Sequence, residues 1–174
     1  MEDIKTTSDF LTSPGQLGEM IRNYDWNTTS LGPISQWPQS LKTTLSLMLN
    51  SNNPTWLGWG PDNIFFYNDA YIEVLGREKH QWALGKPAPL VWEEIWHMCG
   101  HLSDMVFNEG KATNMDDMQL FMRRGEVLEE VFYSFSYSPV IEENGKVGGL
   151  FCPNFETTPK ILSARRNKTL ALLA

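Results

Sequence analysis

A chain of 174 residues, 41% hydrophobic and 20% charged, is long enough for one domain with its own core and too apolar for a disordered segment. Its net charge of −7 is unevenly spread: the last sixteen residues carry Lys160, Arg165, Arg166 and Lys168 without an acid, leaving −11 on residues 1–158. A body of that sign repels phosphate backbones, so no nucleic-acid partner is expected. The longest uncharged run, 43–61, is broken by Ser51-Asn52-Asn53-Pro54 and no leader-like segment opens the chain, so no membrane insertion is expected and the chain reads as cytoplasmic. Cys99 and Cys152, far apart in apolar surroundings, fit buried thiols in a reducing compartment better than a bridge or a zinc site.

In chain order, residues 1–12 read as a flexible N-terminus. Ser13-Pro14-Gly15-Gln16 then offers a capping serine, a proline for the first helical position and a glutamine three residues after the cap, ahead of Leu17, Met20, Ile21 and Tyr24 at helical spacing. A turn-rich connector, 26–38, leads to a second helix with Leu41, Leu45, Met48 and Leu49 on one face. Residues 13–53 thus form a helical cap. Thr55–Trp59 and Ile64–Tyr67 are short β-prone runs around Gly60-Pro61-Asp62-Asn63, followed by a short helix closed by Gly76 and an irregular stretch from Arg77 to Pro89. The longest helix carries Val91, Ile95, Met98, Leu102, Met105 and Val106 and should stop at Gly110.

Three consecutive strands follow. Met118, Leu120 and Met122 alternate before Arg124-Gly125; Tyr133, Phe135 and Tyr137 alternate with serines; Asn144-Gly145 predicts a type I′ turn into Val147–Phe155. Thr158 as cap and Pro159 in the first turn then predict a C-terminal linker helix over 159–174. Two strands, several helices and a three-stranded meander are each too small to stand alone. Together they predict an α+β fold in which one five-stranded antiparallel sheet carries helices on one side, plus the N-terminal cap.

Several words of the sequence occur together in a recognisable order: Asp25-Trp26 with Thr29, Leu31-Gly32-Pro33, Trp37-Pro38 and Ser40-Leu41; Tyr67-Asn68-Asp69-Ala70-Tyr71; Ala83-Leu84-Gly85; Phe135-Ser136-Tyr137-Ser138-Pro139 with Gly148-Gly149; and Glu156-Thr157-Thr158. As a set they resemble the N-terminal PAS sensory domain of bacterial-type, sometimes hybrid, sensor histidine kinases. The resemblance implies a PAS core over 54–158 and a signalling helix over 159–174. It also implies a two-component parent whose kinase domain, in the same polypeptide, runs a phosphorelay that this chain lacks. Pro159 departs from the charged residue PAS domains carry after their terminal acid-x-Thr motif, which bears on the continuity of strand and helix.

No nucleophile elbow, phosphate loop or dinucleotide fingerprint is present, so no enzymatic activity is expected of this chain. His97 and His101 are spaced to share a metal, and some PAS domains hold haem through a histidine on the long helix, yet with Asp104 and Asn108 they lie on the stripe opposite the apolar face. A flavin photoreceptor needs a cysteine between Arg77 and Pro89, where none stands. Neither haem nor flavin is therefore expected, and no metal. The seven tryptophans, all between Trp26 and Trp96, read as cap and core packing.

If Phe135 packs inward, so do Tyr133 and Tyr137, with Cys152 and Asn154 on the inner face of the last strand. By resemblance to other PAS domains, these residues with Trp92, Met98 and Leu102 surround any ligand cavity. A closed core and a ligand pocket both fit the pattern. The implied function is sensory: a small ligand or a partner shifts the C-terminal helix of a protein expected to be a homodimer. The alternative is a ligand-free dimerisation and relay module.

Overall fold

The computed structural model describes residues 9–12 and 15–173. Five strands form one antiparallel sheet in the order β2-β1-β5-β4-β3: β1 (Thr55–Trp59), β2 (Ile64–Tyr67), β3 (Thr113–Arg124), β4 (Val127–Ile141) and β5 (Val147–Glu156). Between β2 and β3 run three single helical turns, α3 (Ile72–Leu75), α4 (Arg77–His80) and α5 (Ala88–Val91), and the long α6 (Glu93–Glu109). The stretch expected to be irregular therefore holds α4 and the start of α5. Their Glu-Lys and Ala-Pro-Leu content suits helix, but at four residues each they leave almost no periodicity to detect.

Val91 does not belong to the long helix: the chain breaks at Trp92 (φ −112°, ψ 34°) before α6 begins. Gly110, at φ 64°, closes α6 as expected. The β4–β5 link is not a type I′ turn, because Asn144 keeps negative φ and only Gly145 (φ 81°) enters the left-handed region. Gly145 N donates to Glu142 O and Glu142 N to Lys146 O, giving a three-residue link with a register shift at Val140/Ile141.

The N-terminal part holds α1 (Gln16–Asn23) and α2 (Gln39–Leu49). The cap expected at Ser13 and Pro14 lies outside the described residues, as do residues 1–8; α1 begins at Gln16 with Gly15 before it. The terminus is not loose throughout, since Leu11 is fully buried and Arg22 donates to its carbonyl at 2.6 Å. Leu17, Ile21, Leu41, Leu45, Met48 and Leu49 are buried as their spacing requires.

These helices explain why every residue of β1 and β2 is buried, where a sheet with one wet face would alternate. Trp56, Phe65 and Tyr67 face α3–α6. Leu57 and Phe66 face the other way, and there Trp26 stacks on Phe66 at 4.9 Å while Trp37 meets it edge-on at 5.6 Å. The cap covers the outer face at this end of the sheet.

Two polar residues lock it in place. Asn68, fully buried, accepts from Thr55 N and Tyr71 N through Oδ1, and its Nδ2 reaches the carbonyls of Met48, Ser51 and Asn53. One side chain so ties the end of α2 to β1 and α3. At the other end of α2, Pro38 cannot cap, and the Glu143 carboxylate from the β4–β5 hairpin accepts from Ser40 N at 2.6 Å and Ser40 Oγ at 3.1 Å.

Candidate functional site

The inner face of the sheet and α6 enclose a small cavity. Alternation along β4 turns Tyr133, Phe135 and Tyr137 inward, all buried, and Asn154 of β5 pairs with Phe135 in register. Trp92, at the break before α6, closes the top and meets Tyr71 edge-on at 6.2 Å. These five expected residues border the cavity: Trp92, Tyr133, Phe135, Tyr137 and Asn154.

Three do not. Cys152 is fully buried behind Asn154, whose Nδ2 donates to its carbonyl at 2.9 Å. Met98 lies only half-buried on the flank of α6, and Leu102 is buried one turn beyond the cavity. At about 100° per residue, the α6 positions that follow Trp92 onto the cavity side are Ile95, Trp96 and Cys99, and Met98 falls well off that stripe. The expectation chose apolar residues of the helix without fixing its rotation, which Trp92 sets.

Other lining residues were not anticipated. Trp56 meets Tyr137 edge-on at 5.6 Å, and Leu120 and Met122 come from β3. Their alternation was legible, but the face it addressed depended on the β3–β4 register.

The cavity measures about 30 Å³, room for water but roughly a tenth of a pocket that encloses an organic ligand. Its polar groups are neutral. Burial holds the Tyr71 and Tyr137 phenols and the Cys152 thiol well above their ordinary range and pushes the Cys99 thiol up to about 11. Neither thiol is a nucleophile at neutral pH. On the α4 side, Lys79 Nζ sits 4.1 Å from the Trp92 ring and pairs with Glu94. Desolvation lowers the lysine's pKa, with Glu94 opposing it.

His97 and His101 are exposed on the far side of α6, as their stripe implies. Among the described residues no group of three or more His, Cys, Asp and Glu could hold a metal ion, and no helix is long and apolar enough to cross a membrane.

The exit from this core is α7 (Thr158–Leu173), one residue after β5, so Pro159 does not separate strand from helix. Thr158 does not cap α7: its Oγ1 accepts from Phe132 N at 2.9 Å, and Thr157 N donates to Phe132 O at 2.7 Å. Arg165 pairs with Glu130 at 3.1 Å and covers the Phe132 ring at 4.8 Å. Phe132 is the outward neighbour of Tyr133, whose Oη donates to Glu156 Oε2 at 3.1 Å. One β4 dipeptide thus touches the cavity on one face and the root of α7 on the other.

No family model and no curated protein matches the chain. Among solved structures it is similar to an RNA-binding Light-Oxygen-Voltage receptor (18% identity, TM-score 0.55, 83% of this chain and 41% of that one). It is also similar to a phage VqmA–DPO complex (14%, TM-score 0.51, 78% and 60%) and to the PAS domain of a protein from Colwellia psychrerythraea (17%, TM-score 0.49, 68% and 98%). The chain spans under half the length of the first of these. At such identities the likeness speaks for architecture alone: with its five-stranded antiparallel sheet and its likeness to the two structures of TM-score above 0.5, the chain has the PAS fold.

Proposed function

We propose that this chain is the sensory input module of a longer cytoplasmic signalling protein, in which a small ligand at the inner cavity, or a bound partner, biases the position of α7 and so the activity of the next domain. The sequence words from Asp25-Trp26 to Glu156-Thr157-Thr158 support a two-component parent, with a histidine kinase following α7 in the same polypeptide and the module working as a homodimer. The module itself has no catalytic role in this reading.

The observation that carries the proposal is the Phe132–Tyr133 junction. A ligand that displaces the Tyr133 ring or its bond to Glu156 acts on the same backbone that holds Thr157 and Thr158. Coupling requires only that the ligand bind the two α7 positions with different affinity.

Haem and flavin play no part in this reading. Among the described residues no histidine borders the cavity, the 77–89 stretch has no cysteine, and the Cys99 thiol is held protonated. The small cavity favours the second reading, a ligand-free dimerisation and relay module, in which only partner contact moves α7.

Native mass spectrometry of the full-length protein with and without extraction, followed by amide exchange across 158–173, separates the two. A bound small molecule whose removal changes α7 exchange supports the sensory reading. A protein of sequence mass whose α7 responds only to dimer dissociation supports the relay. An α7 indifferent to both contradicts the proposal.

A further inference from the structure

Trp96 borders two spaces at once. It lines the inner cavity and also a groove of about 520 Å³ between the Gly60–Asn63 turn, the second half of α6 and the β4–β5 hairpin. The indole lies over Gly100, one turn on: a Cβ there would stand 2.7 Å from the indole Nε1 and 2.9 Å from Cδ1. Glycine is unfavourable inside a helix, and here the missing side chain is the room that lets the ring lie against α6 and seal the wall.

The groove beyond the seal has a definite chemistry. Asp62, Asp104 and Glu142 border it, and no lysine, arginine or histidine borders either space among the described residues. In its floor Asn63, 6% exposed, donates Nδ2 to Ser103 Oγ at 3.0 Å and keeps Oδ1 without a hydrogen-bond partner.

We propose that Trp96 is the gate of the inner cavity and that the ligand admitted there is a small organic amine, its apolar body taking the place of the indole and its ammonium remaining in the acidic groove. This rests on the sensory reading of the cavity and names the ligand class. Swinging the indole outward joins the two spaces, which relieves the size limit of the closed cavity. A ring-sized body then lies among Tyr71, Trp92 and Phe135, whose rings suit an apolar group. The three carboxylates attract a cation and repel an anion before contact, so charge selects the ligand at the mouth.

Two probes of like shape and opposite charge test this in the intact protein: phenethylamine and 3-phenylpropionate, followed by calorimetry and stopped-flow tryptophan fluorescence. The amine should bind at least about tenfold more tightly than the carboxylate. Asp104→Asn with Glu142→Gln should cut that preference to within about threefold. Gly100→Ala, which pushes the indole off the wall and keeps every lining group, and Trp96→Ala should each speed association of the amine at least about tenfold. Near-ultraviolet dichroism checks that each variant is folded, and Trp96→Phe stands in for Trp96→Ala if the latter is not. Equal affinity for the two probes, binding of neither, or unchanged association rates in both gate variants would overturn the proposal. An anionic natural ligand that still shifts α7 defeats the gate's selectivity and leaves the sensory reading standing, whereas amine binding that never reaches α7 does the reverse.

Discussion

Phe135 is the residue at which a packed core and a ligand pocket make different demands. It is 5% exposed, lies tilted against the Tyr137 ring at 5.1 Å and borders a cavity that is, when closed, too small for a ligand ring. Phe135→Ala should therefore cost about 3–5 kcal/mol in denaturant unfolding. A loss within about 0.5 kcal/mol, the scale of surface changes, would show that the ring is not part of the core. The inward turn of Tyr133, Phe135 and Tyr137 was legible because period two in a strand leaves one free choice of face, and the serines between them decide it. Trp96 and Cys99 were harder to foresee. Helical period three to four admits a wide apolar stripe, and which part of it meets the cavity depends on where α6 starts, which the break at Trp92 fixes by tertiary packing.

At the scale of elements, β1 and β2 were readable to the residue because aromatic and β-branched runs flank a Gly-Pro-Asp-Asn turn. The function of Glu143 was not, since its partner lies 103 residues away. Its carboxylate does for α2 what Pro38 cannot, and the bonds from its own backbone and from Ser40 hold it below the usual carboxylate range. A lowered native pKa means that the stabilisation is complete above the unfolded value and is lost as pH falls through the native one. Glu143→Gln should lower the melting temperature at neutral pH, and the gap from the parent protein should close on acidification. A gap that is absent at pH 7, or that does not narrow in acid, would contradict the capping role. Thr158 carries a similar lesson: its residue type suggested a helix cap, yet its oxygen serves the Phe132 N–H, because the end of β5 brings it beside β4.

Across the whole molecule, the N-terminal part is built into the fold rather than strung before it. Removing residues 1–53 would bare Leu57 and Phe66, fully buried in the intact chain, and leave Asn68 without three acceptors. The truncated protein should aggregate or melt at lower temperature, and one that stays monomeric and equally stable would show that the cap is dispensable. The sequence foresaw the cap's apolar faces but not that they cover the outer side of β1 and β2, two adjoining strands at one end of the sheet that are buried on both faces. At the opposite end, α7 buries none of its residues and is held at its root by Phe132, Glu130 and Asp117 through Thr157, Thr158, Arg165 and Lys160. So lightly held a helix can respond to small changes beneath it. The most direct measurement is amide hydrogen exchange along 161–170 in Tyr133→Phe, which keeps the ring and removes the bond to Glu156. If the cavity speaks to the output helix through β4, exchange there should quicken at least about threefold while β1 and β2 stay protected; unchanged exchange in α7 would mean that Tyr133 and Phe132 do not transmit, and that the central claim is wrong.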